Sequence, residues 1–115
     1  MLKTSELLRS CKSVRSFDVL DFKEGKDFYY LRVEAILRDE TTLHIREYVS
    51  ISERMYSYHW QDTHRKTICR WDNAPHHKGL TTFPHHKHTQ QGIEACFKNT
   101  LEDVLAEIDT FKKAK

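Results

Sequence analysis

Five of the chain's eight histidines crowd into thirteen residues: His76, His77, His85, His86 and His88. Imidazole is the side chain whose charge changes near pH ~6.5, so such a cluster can pass protons, hold a metal ion or switch its own charge. Protonating all eight would carry the formal charge from +2 to +10. Two prolines punctuate the window, Pro75 just before His76-His77 and Pro84 just before His85-His86. Proline fixes its own φ and drives the preceding residue toward extended geometry, so two stiff elbows present two imidazole pairs. A hairpin-like bend through residues 78–84 would bring the pairs together. Arg70, Asp72 and Asn73 lie immediately upstream. A strand end there is a rigid anchor for a polar site, and Asp72 can orient an imidazole and raise its basicity.

Three chemistries fit these residue types. The first is metal-independent cleavage of an RNA phosphodiester, which needs a base, an acid and a cation on the phosphate. His77 with His86 or His85 would exchange protons, and His76 and His88 belong to the same candidate set. Asp72 would orient one ring, and Arg46, Arg70, Lys78 or Lys87 would hold phosphate. This reading calls for no cofactor. The second is a divalent metal held by His86, His88 and Asp72. On an extended segment two residues apart share a side, which aims both imidazoles one way. Neither a cysteine pair nor a His-Glu-x-x-His pattern supports it. The third is binding without turnover, with the His/Lys loop as a pH-dependent basic patch. Asn73 would add a polar contact, and Tyr58, Tyr48 and Trp60 would add stacking faces for nucleic acid.

Each feature also has a plainer explanation. The Tyr56, Tyr58, Trp60 alternation suits core packing equally well. Arg46 and Arg70 suit exposed cross-strand ion pairs, worth about 0–1 kcal/mol. His44, His59 and His64 stand apart and read as surface or satisfied strand residues. The cluster itself suits a solvated loop, although the Pro and aromatic punctuation favours order.

The elements that must position these groups are legible from periodicity. A helix is expected over residues 4–13, capped by Thr4 or Ser5, with Leu7, Leu8 and Cys11 at helical spacing. Period-2 texture then runs from Val14 to Asp72. A first strand around residues 17–22 reads as buried on both faces, followed by a turn at Lys23 to Asp27. Residues 29–38 alternate most clearly, with Leu31, Val33, Ala35 and Leu37 on one side. After a polar turn from Arg38 to Thr41, Leu43, Ile45, Val49 and Ile51 share an apolar side. Glu47 lies on it and needs a partner or a cleft. Strands at 56–61 and 67–72 flank a turn at Asp62 to Arg65. From Asn73 to Gly92 periodicity stops, and a long irregular stretch inside a compact domain is usually functional or disordered. A short strand near residues 93–97 and a helix over residues 101–113 complete the chain. Thr100 and Asp103 match a capping box. The expected fold is α+β: an antiparallel meander of five or six strands with an N-terminal and a C-terminal helix on one face.

Composition bounds the rest. A length of 115 residues fits a single domain over 1–115. Nineteen basic against seventeen acidic residues is no histone-like excess, so charge alone does not point to nucleic acid. No apolar run approaches the ~20 residues of a membrane span. The N-terminal residues lack an apolar signal core, and Cys11, Cys69 and Cys96 suit reduced thiols in a cytoplasm. Exposed edges of the meander offer a route to a homodimer.

Two segments carry a resemblance. Arg70-Trp71-Asp72-Asn73-Ala74-Pro75-His76-His77 and Phe83-Pro84-His85-His86-Lys87-His88 resemble the paired signature of TumE-family toxins of prokaryotic toxin–antitoxin systems. The upstream Arg46-Glu47-Tyr48 and the Tyr56-Ser57-Tyr58-His59 run are similar to that family as well. Trp71 stands where the family pattern has Tyr, an aromatic exchange. The resemblance covers nearly the whole chain. It implies a small cytoplasmic toxin and a cognate antitoxin partner, which the His/Lys loop would dock in the binding reading. It raises RNA as a substrate by analogy with other small toxins, without naming a target.

Overall fold

The computed structural model describes residues 2–113, with side chains from 3 to 111. The elements run α1 (Leu2–Ser10), β1 (Val14–Glu24), β2 (Phe28–Leu37), β3 (Thr42–Ser50), β4 (Arg54–Gln61), β5 (Thr67–Asp72), β6 (His86–Thr89), β7 (Gly92–Ala95) and α2 (Leu101–Lys113). The strands form one antiparallel sheet in sequence order. The α+β meander is therefore as expected, but it has seven strands instead of five or six.

Alternation sorts side chains onto two faces. Leu31, Val33, Ala35 and Leu37 of β2 are buried with Leu43 and Ile45 of β3, Tyr56, Tyr58 and Trp60 of β4, and Cys69 and Trp71 of β5. Both helices lie on this side. Leu101, Val104, Leu105 and Ile108 of α2 and Leu8 of α1 complete the core. Phe111 meets the Trp60 ring edge-on at 5.2 Å. Among the described residues no helix covers the opposite face, which is left open.

Some expectations fail at the edges. Helix α1 begins at Leu2, so Thr4 and Ser5 are not its caps. Both are buried inside it, and Thr4 Oγ1 donates to Glu47 Oε1 at 2.7 Å. Strand β1 is paired only with β2 and most of its side chains are exposed or half-exposed, so it is not buried on both faces. Ile51 lies beyond the end of β3 and is 84% exposed. The stretch from Asn73 to Gly92 is not uniformly irregular. His86–Thr89 pairs with β5 through Asp72↔His86, Trp71↔Lys87 and Arg70↔His88. Four residues rich in His and Lys give no apolar alternation, so their pairing is dictated by the strand beside them. Gly92, at φ 120°, supplies the backbone geometry that closes the β6–β7 hairpin.

The α2 cap agrees with expectation. Thr100 Oγ1 accepts from Asp103 N at 3.1 Å and donates to Asp103 Oδ2 at 2.8 Å, and Thr100 N donates to the same carboxylate at 3.2 Å. These bonds hold the Asp103 carboxyl below its ordinary range, led by the Thr100 hydroxyl. A depressed folded-state value stabilises the fold above the ordinary carboxylate range and fades as pH falls through the folded value. Thr100→Ala is expected to cost about 1 kcal/mol at neutral pH in urea unfolding, with a smaller gap in acid. An equal gap at both pH values would contradict the reciprocal cap.

Candidate functional site

The site is built around Asp72, the last residue of β5. Its carboxylate is almost fully buried, yet it sits on the open-face side of the strand. Oδ1 lies 2.9 Å from His86 Nε2 and accepts from Ala74 N at 3.0 Å. Oδ2 lies 3.2 Å from Arg70 Nε and 3.7 Å from His88 Nε2. The register produces these contacts. Asp72 faces His86 across the β5–β6 ladder, and Arg70 faces His88. His86 and His88 share a face, and their Nε2 atoms are 3.1 Å apart. His77 reaches in from the turn after β5, with its ring 4.7 Å from His86 and 5.7 Å from His88. One donor nitrogen from each of the three rings falls inside a 4.8 Å span.

The orientation of His86 is informative. The ring is 1% exposed, and its Nδ1 lies 3.0 Å from the carbonyl oxygen of Pro84. A carbonyl can only accept, so Nδ1 carries the hydrogen. In the neutral ring Nε2 then presents its lone pair toward Asp72 and His88. A lone pair on His86 Nε2 facing a carboxylate oxygen at 2.9 Å requires something positive between them, either a proton or a metal ion. Donors about 2.0–2.1 Å from a tetrahedral zinc ion stand roughly 3.3 Å apart. The His86–His88 separation of 3.1 Å is close to that value, and the three-ring set, which spans up to 4.8 Å, would draw in slightly around an ion. A ring nitrogen donating to a backbone carbonyl while the other faces the ion is the usual support of a metal-bound histidine. Burial lowers the His88 pKa, with His86, Arg70 and His77 acting in the same direction and Asp72 against it.

The structure thus brings together His77, His86, His88, Asp72 and Arg70. It separates the others. His85, next to His86, points to the helix side, stacks on Tyr56 and pairs Nδ1 with the Tyr56 hydroxyl at 2.9 Å. Burial, followed by the Arg54 and His86 charges, lowers its pKa. His76 and Lys78 are exposed in the turn region after β5. Lys87 faces the helix layer, where its ammonium bonds Glu107 at 3.0 Å. Burial works against that charge, but the Glu107 bond and charge outweigh it and raise the pKa. Asn73 clamps β4, accepting from Tyr56 N at 3.0 Å and donating to the Arg54 carbonyl at 2.6 Å. Tyr58 is fully buried and donates to Glu47 Oε2 at 2.6 Å, so it is no stacking face. Burial pushes its hydroxyl pKa up, followed by the Glu47 charge. Trp60 is likewise buried, its Nε1 donating to Thr41 Oγ1 at 2.9 Å. Burial raises the Cys69 thiol to about 12, which suits an inert core residue.

Arg46 extends the site across the sheet. Pairing aligns Arg32, Arg46, Ser57, Asp72 and His86 in one open-face row. The next row is Glu34, His44, His59, Arg70 and His88. Arg32 was not singled out by its sequence context. Its partner across the Arg38–Thr41 turn is another arginine, and only strand register reveals that. Among the described residues neither Arg32 nor Arg46 makes an ion pair. Arg32 faces Asp21 of β1 on its other side without an ion pair, and the like charges of Arg32 and Arg46, directly opposite, destabilise the sheet, an arrangement that a bound anion would relieve.

Fold and site together define a class: a small antiparallel-sheet protein with an imidazole–carboxylate cluster beside unpaired arginines. The family model described as Toxin TumE matches residues 4–112, and the chain belongs to that toxin family. The expected membership is thereby shown, and with it a toxin's place in a toxin–antitoxin pair. No match was found among curated proteins or among solved structures. Among the described residues no helix is long and apolar enough to cross a membrane.

Two stability measurements separate the roles of these residues. Tyr58→Phe strands a buried carboxylate oxygen of Glu47 and is expected to cost about 2 kcal/mol in urea unfolding. An unchanged midpoint would contradict its structural role. Arg32→Gln removes the repulsion with Arg46 without setting a second carboxylate opposite Asp21, and is expected to gain up to about 0.5 kcal/mol. A loss of stability there would show that Arg32 is already compensated.

Proposed function

We propose that this toxin cleaves RNA phosphodiester bonds on the open face of its sheet, assisted by a divalent transition-metal ion held by His77, His86 and His88 beside Asp72. The observation that carries this is the His86 geometry. One ring nitrogen is committed to Pro84, and the other is aimed at Asp72 and His88. His77, His86 and His88 would hold zinc, cobalt or nickel through three imidazole nitrogens. Such an ion supplies Lewis acidity at a phosphoryl oxygen. The chain's own side chains do the remaining work. Arg46 and the exposed side of Arg70 counter the phosphate charge, and a planar guanidinium can take two oxygens at once. Asp72 offsets the ion's charge and, held by Ala74 N and Arg70, keeps the cluster in place.

Proton transfer by imidazoles alone is favoured by one observation. A proton on His86 Nε2 would satisfy the same contact with Asp72. His77 and His88, both half-exposed, would then carry the protons.

The test uses purified full-length protein. Metal analysis is expected to find about one zinc, cobalt or nickel ion per chain, and His86→Ala should lose it. Cleavage of total RNA should stop on chelation and return with the added ion. Cleavage that persists after exhaustive chelation supports the imidazole route. RNA left intact with every ion, while the toxin still arrests growth, rejects the nuclease reading.

A further inference from the structure

Beside Asp72 the open face sinks into a cavity of about 440 Å³ whose walls include Tyr30, Tyr48, Met55, Ser57, Arg46 and Arg70. That volume lies in the range of small-ligand pockets. Its position follows from register. Tyr30 faces Tyr48 across β2–β3, and Tyr48 faces Met55 across β3–β4, one row away from Arg32, Arg46 and Ser57. The Tyr48 ring is backed by Phe28, stacked at 6.0 Å with 29° between planes. Met55 is 55% exposed at the mouth. A second, polar cavity of about 870 Å³ lies on the other side, lined by Arg32, His44, His59 and Arg65 and also by the carboxylates Glu34, Glu40 and Asp62. The two cavities share Arg46, Ser57 and Arg70.

This layout pairs an aromatic slot with a cationic ledge. Tyr48 and Arg46 are two residues apart on one strand, so their Cα atoms stand about 7 Å apart. A base and its own phosphate are separated on the same scale. Every nucleobase has a π-face to set against a tyrosine ring. A duplex keeps its bases stacked inside, whereas a single strand can turn one out. We propose that the Tyr30–Tyr48–Met55 pocket receives one unstacked base of single-stranded RNA, with that strand's phosphates on Arg46 and Arg70. The proposal rests on the reading of the adjacent cluster as a phosphodiester-cleaving site and names the form of RNA that it takes.

The test measures fluorescence anisotropy of a short labelled single-stranded oligoribonucleotide, and of the same strand annealed to its complement. Full-length protein is used with chelator present, and the oligonucleotide is checked on a gel for integrity. The wild type should prefer the single strand. Tyr48→Ala and, separately, Met55→Glu should each weaken that binding about tenfold. Met55 is exposed, so its variant guards against a folding artefact. Cobalt loading, measured without chelator on both variants, should equal that of the wild type. Equal affinity for both RNA forms, or unchanged single-strand binding in both variants, overturns the pocket. With cobalt loading intact, that result leaves the cluster's role standing. Failure of the wild type to bind any RNA overturns the RNA reading itself and the pocket with it.

Discussion

A carboxylate out of water is costly unless charge and hydrogen bonds surround it, and Asp72 is such a carboxylate. It closes β5, accepts from Ala74 N, pairs with the Arg70 guanidinium, and faces the Nε2 atoms of His86 and His88. The turn after β5, the short strand β6 and the His77 ring all converge there. Removing the carboxylate would leave three imidazoles facing one another with no negative charge between them. Strand β6 has little apolar surface to hold it, since His86 is its only buried residue. The ladder to β5 and the Asp72 contacts are what fix its place.

Parity along the strands then divides polar residues between two worlds. The helix-covered face holds a buried network in which Thr4 and Tyr58 donate to Glu47, and Arg54 donates to Tyr58 while lying 4.1 Å above the Tyr56 ring. His85 joins that side through Tyr56. The open face holds His86, His88, Arg70 and Arg46. One residue of displacement sends His85 and His86 to opposite sides, so a doublet in sequence is not a doublet in function. The site takes one ring from the His76-His77 pair, one from His85-His86, and adds His88.

Much of this was legible in the residues. The alternation of 29–38 and 43–49, the α2 cap and the convergence of the two histidine segments on Asp72 all follow from local pattern. Glu47 was visible as a carboxylate on an apolar side that required partners, and it has them. What could not be seen was set by non-local pairing. Strand β6 has no hydrophobic period of its own. The Arg32–Arg46 opposition and the Tyr30–Tyr48–Met55 row depend on which residues face one another across turns. Tyr58 and Lys87 were drawn toward function by their chemistry alone, while burial and Glu107 commit them to structure.

The site turns on one ring nitrogen, and nitrogen NMR of imidazole-labelled protein reads it. Spectra of the full chain would be compared in chelator and with one equivalent of zinc. Zinc is expected to shift His86 Nε2 as a coordinated nitrogen while Nδ1 keeps its hydrogen toward Pro84, with His77 and His88 shifting in the same titration. His86 signals that ignore zinc, or a hydrogen found on Nε2 at every metal level, would contradict that coordination.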